Sequence, residues 1–233
     1  MLVSQSLVFI HLTKCGGNFV RNALHEVDGP EQYAGRFHGP WSEIPNQYSN
    51  MPVITAVRNP YDWWVSWYHF MKKHNWPNPI ARAAVITGNE SFPKMLQFIT
   101  ASLTKGSKAA IKVDRQIQAL AEDHSAIQND FTGKMIEHMR LHQCGILSWR
   151  FSFQLLGIPE NQLTILNQDS LLNDLKLALK HAGCEFENNM LTNLPKANTT
   201  ARNTNHRNYY VKESRIAVAR LDRLIIEKFN YQF

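Results

Sequence analysis

Residues 13–18, Thr-Lys-Cys-Gly-Gly-Asn, join a cation to two adjacent glycines directly after an apolar run at 7–10. Apolar residues then recur at helical spacing over 20–27, so the pattern predicts a strand, a short loop and a helix. Free amides at a helix N-terminus attract anions, and glycine lets a ligand approach the backbone closely. Lys14 adds a mobile positive charge, and Asn18 is placed to cap the helix. The loop predicts phosphate binding, with a plain strand-to-helix turn as the alternative.

A second polar group follows the β-rich run at 53–57, where Arg58, Asn59 and Pro60 come in succession. Asn59 can cap a helix, and Pro60 suits the first helical position because its missing amide costs nothing there. Ser66 lies seven residues after Asn59, two helical turns later and on the same face. The Arg58 guanidinium and the Ser66 hydroxyl could therefore reach one phosphate. The alternative is that Arg58 pairs with a carboxylate and Ser66 is an ordinary helix residue.

The order of the first loop, with Lys before Gly-Gly, resembles the 5'-phosphosulfate loop of the sulfotransferase family, written PKxGGT. Neither the ATP-type loop GxxxxGK[ST] nor the dinucleotide loop GxGxxG fits it. Two positions depart from the family pattern: Thr13 replaces the usual proline, and Asn18 replaces the usual Thr or Ser. The resemblance implies binding of the donor 3'-phosphoadenosine-5'-phosphosulfate (PAPS) by Lys14, Cys15, Gly16, Gly17, Asn18 and Phe19.

The stretch 53–70 is similar to the 3'-phosphate motif of the same family, in which Arg-Asn-Pro ends a strand and a Ser follows eight residues after the Arg. That resemblance implies that Arg58 and Ser66 hold the 3'-phosphate. The segment containing Arg202 and Arg207 also looks like the tail of small bacterial sulfotransferases, which would cover the nucleotide. Both arginines are thus further candidates for the 3'-phosphate, with a solvated basic loop as the alternative for either.

The family resemblance implies in-line transfer of the sulfuryl group without a covalent intermediate and without a metal ion. Lys14 would neutralise the charge on the oxygen that leaves with the product 3',5'-ADP (PAP). A hydroxyl or amine acceptor also needs a general base. Related enzymes often place a histidine between the two phosphate motifs, which makes His38 the preferred base, with an ordinary loop histidine as the alternative. Glu43 is a weaker candidate, and His69 is expected to be structural.

Other residues with reactive side chains carry weaker patterns. His138 and His142 share a helical face, but without an HExxH motif or a third ligand they predict solvated side chains more than a metal site. Cys15 lies at a helix start that favours a thiolate, yet no base partner identifies it as a nucleophile. The acceptor stays open between small molecules, carbohydrates, lipids and peptides, and the abundant tryptophans permit sugar stacking.

Two other functions are compatible with the sequence. A kinase-like phosphotransferase with a variant loop would require ATP and a magnesium-holding carboxylate after a strand, for which Asp169 is the candidate. A non-catalytic basic module would bind long polyanions and would give Lys14 no special role. Measuring which nucleotide binds would distinguish the sulfotransferase, the kinase-like enzyme and the polyanion-binding module.

The composition is that of a folded globular protein, since 44% of its 233 residues are hydrophobic and 19% are charged. The net charge of +6 attracts anions, but Lys and Arg form no run, so nucleic-acid binding is not predicted. Three widely spaced cysteines predict neither a disulfide framework nor a zinc site. The apolar run near the N-terminus is too short for an export signal or a membrane span, so we expect a cytoplasmic protein.

Strands predicted at 7–10, 53–57 and 162–166 alternate with helices, which indicates an α/β fold with a central parallel sheet flanked by helices. Residues 71–153 are predicted to form a helical insertion, and the chain 1–233 is expected to form a single domain. Ligands bind at the carboxyl ends of parallel strands. The lysine loop and the Arg-Asn-Pro turn would therefore line one crevice if their strands are neighbours.

An aromatic stripe follows the second motif, formed by Trp63, Trp67 and Phe70. Large aromatic side chains are usually buried, which favours a role in the core. A wall of the substrate site is the alternative.

Overall fold

The computed structural model describes residues 1–29, 32–121, 133–195 and 205–233. The chain divides into two compact units, Met1–Arg58 with Arg150–Thr199 and Asn59–Trp149 with Thr200–Phe233. The organisation of 1–233 as a single domain stays a prediction.

Strands and helices in the described residues follow the expected α/β alternation. The strands are β1 (Leu2–Val3), β2 (Val8–Ile10), β3 (Gln32–Tyr33), β4 (Val53–Val57) and β5 (Leu163–Asn167). The helices are α1 (Gly17–Val27), α2 (Pro60–Lys73), α3 (Pro79–Ile86), α4 (Phe92–Ser102), α5 (Lys108–Ala121), α6 (Gly133–His142), α7 (Ile146–Leu155), α8 (Leu171–His181), α9 (Asn188–Thr192), α10 (Lys212–Leu221) and α11 (Arg223–Phe229).

The first unit contains a five-stranded sheet in the order β3-β1-β2-β4-β5. Strands β2 and β4 are apolar at almost every position and are buried along their whole length, as expected for strands covered on both faces. The single polar residue of β4, Thr55, donates its hydroxyl hydrogen to the Ile10 carbonyl at 2.8 Å. Helices α1, α8 and α9 belong to the same unit, together with α7 from Arg150 onward.

The expectation of a wholly parallel sheet is wrong, because the sheet is mixed. Strands β2, β4 and β5 run parallel to one another, whereas β1 pairs antiparallel with both β2 and β3. The reason is the short connection between β1 and β2, where the Ser4 amide donates to the Leu7 carbonyl at 3.0 Å. Such a tight turn can join only antiparallel strands, since a parallel pair needs a long crossover.

The neighbour relation that the two motifs require is confirmed. Val8 pairs with Val53 and Ile10 with Thr55 in parallel register, so β2 and β4 are adjacent. The loop after β2 and the turn after β4 therefore leave the sheet at the same edge, the carboxyl edge where α/β sheets bind ligands.

Helix α1 begins one residue earlier than its expected cap. Gly16 is the N-cap residue, with a left-handed φ of 89°, and no side chain bonds the free amides. Asn18 is thus inside the first turn, and its prediction as the capping residue is wrong. A left-handed backbone at the cap is a conformation that glycine adopts readily, which is why the cap lies at the glycine pair.

The second unit is helical, and the predicted insertion at 71–153 is confirmed as helical in its described residues, which form α3, α4, α5 and α6 with the end of α2 and most of α7. Helix α2 begins as expected, because the Asn59 side chain accepts a hydrogen bond from the Tyr61 amide at 3.0 Å and Pro60 holds the first position. Trp63 and Trp67 are buried, which confirms their role in the core, while Phe70 is 37% exposed.

Candidate functional site

The lysine loop has an unusual backbone conformation. Lys14 has a φ of 64° and Gly16 a φ of 89°, so two of its residues are left-handed. This conformation is uncommon for a residue with a side chain and costs on the order of 1–3 kcal/mol, a cost that clusters at ligand sites. The turn directs the chain from the end of β2 into the first turn of α1.

Each glycine of the pair is required by a specific neighbour. A Cβ on Gly16 would lie 2.6 Å from Cδ2 of Leu171, the first residue of α8. A Cβ on Gly17 would lie 2.0 Å from Nε2 of His11, whose ring packs against the start of α1. Side chains of the protein therefore occupy the positions that the two Cβ atoms would take, which explains why the loop needs glycine where its amides begin the helix.

Arg58 connects the second motif to the first. Its Nη1 atom donates a hydrogen bond of 3.0 Å to the Lys14 carbonyl. The residue that follows β4 thus braces the strained loop and brings its positive charge to it. The structure places Lys14 and Arg58 together, as the sequence predicts.

Cys15 lies completely buried at the centre of the loop, with its thiol 3.5 Å from the Thr13 carbonyl. Burial raises the pKa of the Cys15 thiol to about 12, although the charges of Arg58, Arg150 and Lys14 act in the opposite direction. The thiol is therefore neutral, so it is unsuited to act as a nucleophile. The same result shows that three cations lie within electrostatic reach of one loop.

His11 is a site residue that the sequence pattern does not single out. Only 7% of it is exposed, and its ring stacks on Phe9 and meets the rings of Phe37 and His38 at centroid distances of 4.9 and 4.6 Å. Burial, and then the neighbouring His38, lower the pKa of His11 to about 3, so the imidazole is neutral. Its Nδ1 atom is buried without a hydrogen-bond partner in the part of the chain that the structure describes.

His38 joins this cluster through a specific hydrogen bond. Its Nδ1 atom lies 2.9 Å from the His11 carbonyl. A carbonyl can only accept, so Nδ1 carries the proton and Nε2 keeps its lone pair. Burial lowers the pKa of His38 to about 4, and Arg150 adds to the effect, while the bond to His11 opposes it. His38 is therefore neutral near pH 7, in the tautomer that can accept a proton at Nε2.

Helix α7 supplies two further residues, Arg150 and Gln154, which motif reasoning missed. The Gln154 amide donates to the His38 carbonyl at 2.7 Å and to the Gly39 carbonyl at 3.4 Å, which holds the backbone of the candidate base. Arg150 lies one turn earlier on the same face and is 5% exposed. The sequence offers one clue, since this Arg interrupts an otherwise largely apolar helix.

The other residues predicted to bind PAPS belong to the second unit, to the first turn of α1 or to the part of the chain outside the described residues. Ser66 is buried in α2 of the second unit, whereas Arg58 belongs to the first, so their shared phosphate stays a prediction. Arg207 donates to the Phe233 carbonyl, and its guanidinium carbon lies 5.6 Å from the Phe233 ring centroid. Arg202 lies outside the described residues. Asn18 and Phe19 are half-buried in the first turn of α1.

The other residues considered as the base or as metal ligands make the following contacts. Glu43 pairs with Arg36, and the His69 ring packs edge-on against Tyr209. The His138 and His142 rings lie 4.2 Å apart. Within the described residues, no group of three or more His, Cys, Asp or Glu side chains is arranged to hold a metal ion.

Among the helices of the described ranges, none has both the length and the apolar character needed to cross a membrane. Comparisons with known proteins gave no match: no family model, no curated protein and no solved structure is similar to this chain.

Proposed function

We propose that this protein is a sulfotransferase that transfers the sulfuryl group of PAPS to a hydroxyl or amine acceptor. The observation that carries the proposal is the strained, lysine-containing glycine loop at the start of a helix, whose Lys14 carbonyl accepts a hydrogen bond from the Arg58 guanidinium. Cations and free helix amides together favour a phosphate or sulfate group. The resemblance of both motifs to the sulfotransferase pattern favours PAPS among the nucleotides, and with it a P-loop-like sulfotransferase fold.

The residues of the first unit fit the 5'-phosphosulfate end of this donor. Among the described residues, no side chain caps the amides at the start of α1, and Lys14 belongs to the same loop. PAPS would supply both the sulfuryl group and the nucleotide that leaves. In the reaction, the bond from sulfur to the 5'-phosphate oxygen breaks with its electron pair on that oxygen, and a bond forms between sulfur and the acceptor atom.

The residues of this chain would assist both ends of the transfer. Lys14 would neutralise the oxygen that leaves with PAP. His38 would take the acceptor's proton at Nε2, because its Nδ1 proton is held by the His11 carbonyl. Arg58, Ser66, Arg202 and Arg207 stay candidates for the 3'-phosphate. The acceptor class stays open between small molecules, carbohydrates, lipids and peptides.

One observation supports a kinase-like alternative. Asp169 is exposed in the turn that follows β5, and Cγ of the neighbouring Gln168 lies 3.8 Å from the position of a Gly16 Cβ. A carboxylate near a phosphate loop suits magnesium and ATP. The proposal therefore has to be tested against ATP as well as against long polyanions.

Thermal unfolding with added ligand tests the proposal directly. We expect PAP to stabilise the protein by about 2.7 kcal/mol at 100 times its Kd, and ATP with magnesium to give no comparable shift. Lys14→Ala should weaken the shift, whereas Lys180→Ala, which changes an exposed lysine of the same unit, should leave it intact. Stabilisation by ATP alone, or only by heparin-like polyanions, contradicts the proposal.

Turnover with labelled PAPS and a panel of acceptors then identifies the substrate. Lys14→Ala is expected to slow transfer by about 10²–10³-fold, since it removes charge stabilisation of the leaving oxygen. The free thiols of Cys15, Cys144 and Cys184 suit the reducing cytoplasm in which we expect the enzyme to work.

A further inference from the structure

His11 directly follows β2, and its imidazole is directed at the start of helix α1. A Cβ on Gly17, the first residue of α1, would lie 2.0 Å from His11 Nε2, which is the protein atom nearest to that position. Because a Cβ lies about 1.5 Å from its Cα, Nε2 is within about 3.5 Å of the Gly17 Cα atom. The edge of the imidazole that carries Nε2 thus lies beside the first turn of the helix.

The backbone amides of this first turn are available to a ligand. The Phe19 and Val20 amides donate to the Gly16 carbonyl at 2.9 and 3.3 Å. Within the described residues, the Gly17 and Asn18 amides before them have no acceptor, and no side chain caps the helix. The left-handed Gly16 gives the kind of concave backbone that holds an oxyanion. The imidazole therefore lies beside amides that can hold a phosphate oxygen.

The polar atoms of the His11 ring are not used inside the protein. Only 7% of the residue is exposed, and neither ring nitrogen makes a hydrogen bond with the part of the chain that the structure describes. Of the two, Nδ1 alone is completely enclosed. The ring is neutral, so it carries one N–H group and one lone pair. An enclosed N–H without an acceptor is rarer in proteins than an enclosed acceptor without a donor, so the proton belongs on Nε2.

We infer that His11 binds the donor nucleotide, with its Nε2 donating a hydrogen bond to an oxygen of the 5'-phosphate, an inference that rests on the proposed sulfotransferase function. The 5'-phosphate is the group that this function places at the amides of α1. A hydrogen bond to a charged oxygen is stronger than one between neutral groups, so a buried imidazole gains a partner that repays its burial. The two histidines then have different tasks, because His11 holds the donor phosphate and His38 takes the proton of the acceptor.

Titration calorimetry tests this contact with PAP and with adenosine 3'-phosphate, which lacks the 5'-phosphate. His11→Leu removes the donor and should weaken PAP binding by about 10- to 100-fold, the effect of losing one hydrogen bond to a charged group. The affinity for adenosine 3'-phosphate should change by less than about threefold, because no 5'-phosphate is involved. His11→Gln can place an amide N–H near the position of Nε2, so it should bind PAP within about threefold of the wild-type protein. His25→Leu changes an exposed histidine of α1 and should alter neither affinity.

The possible results separate the inference from the function on which it rests. If the wild-type protein does not bind PAP, both are rejected. If it binds PAP and His11→Leu keeps the wild-type affinity, the inference alone is rejected. The same holds if His11→Leu and His11→Gln lose PAP affinity equally, or if His11→Leu weakens both nucleotides equally, because the residue then acts only on the structure of the loop.

Two checks keep the test decisive. Should adenosine 3'-phosphate bind too weakly to measure, the difference in PAP affinity between His11→Leu and His11→Gln decides. Urea unfolding without ligand shows whether each variant is folded. If His11→Leu does not fold, His11→Asn takes its place, since its shorter amide reaches only the position of Nδ1, and wild-type PAP affinity in that variant rejects the inference.

Discussion

Two buried polar clusters, one in each unit, differ in how far their hydrogen bonds are satisfied. In the second unit, Asp222 is completely buried, and its two oxygens accept from Trp64 Nε1 at 2.6 Å and from the Ser148 amide at 2.8 Å. In the first unit, His11 Nδ1 and Gln154 Oε1 are buried with no hydrogen-bond partner among the described residues. Both units keep buried polar atoms of this kind, among them Ser148 Oγ in the second, but both oxygens of the Asp222 carboxylate are bonded, whereas His11 and Gln154 each keep an open atom.

This difference separates a structural role from a functional one. An unsatisfied buried polar group costs about 1–3 kcal/mol, so a fold keeps such groups where a ligand or water meets them. The Asp222 cluster fixes one arrangement of the helices in its unit. The cluster of His11, His38 and Gln154 lies against a strained anion loop. The open atoms of His11 and Gln154, taken together with the strained loop beside them, support the location of the site in the first unit.

The largest expected effect on stability comes from removing the hydrogen bonds of the Asp222 carboxylate. Asp222→Ala leaves the Trp64 indole and the Ser148 amide as buried donors without an acceptor, so the free energy of unfolding should fall by about 3–5 kcal/mol. Urea denaturation measures this loss. Asp222→Asn keeps the shape and one acceptor, and should lose about half as much. A loss below about 1 kcal/mol for Asp222→Ala would contradict the structural role of the carboxylate.

The second prediction concerns the contact between His11 and the glycine loop. Gly17→Ala places a methyl group 2.0 Å from His11 Nε2, so we expect a loss of about 3 kcal/mol and weaker PAP binding. In the His11→Ala background the same change should cost about 1 kcal/mol or less, because the clash is gone. Gly133→Ala, which meets no atom within 4 Å, is the control. Additive losses in the double variant would show that His11 does not explain the glycine.

The sequence predicts those parts of the site whose structure depends on residues close together in the chain. The continuous apolar runs of β2 and β4 and the Asn59 cap are local signals, and the structure confirms them. Local sequence patterns do not predict structure that depends on pairing between segments. The two residues of β1 are too few to show a pattern, and their antiparallel pairing depends on the turn at Ser4. The sequence predicts Asn18 as the cap because Asn is a good capping residue, but the left-handed Gly16 takes that position.

The residues that complete the site could not be found by spacing at all. Gln154 meets His38 across more than a hundred residues of chain, and the charge of Arg150, one turn earlier on the same helix face, lowers the pKa of Cys15 against the effect of burial. Sequence motifs record residues close together in the chain, whereas this contact depends on how α7 packs in its unit. Spacing does not single out His11 because it follows an apolar run, where an imidazole is expected to be an ordinary core residue.

The third prediction concerns the stability of the protein at low pH. The pKa of His38 is about 4 in the folded protein and about 6.5 when unfolded, so between these values the unfolded chain binds a proton that the folded chain does not. The stability is therefore complete above pH 6.5 and is lost as the pH falls toward 4. The loss from His38 should be about 2 kcal/mol between pH 7 and pH 5. Urea unfolding of His38→Asn should show that much less acid sensitivity, and His181→Asn, an exposed control, should not.

The smallest expected effect on stability tests the comparison of the two clusters most directly. The variant removes Gln154 Oε1, a buried atom with no hydrogen-bond partner among the described residues. Gln154→Met loses the stabilising hydrogen bonds to the His38 and Gly39 carbonyls, but it also removes the buried Oε1, which destabilises the wild-type protein. Because these two contributions largely cancel, the free energy of unfolding should change by only about 1 kcal/mol. Turnover should nevertheless fall several-fold at unchanged PAP affinity, since the backbone that carries His38 is no longer held. Gln118→Met, at an exposed position, should change neither. If Gln154→Met instead costs as much stability as Asp222→Ala with no effect on turnover, the amide is a structural anchor, and the contrast between the two clusters does not mark a functional site.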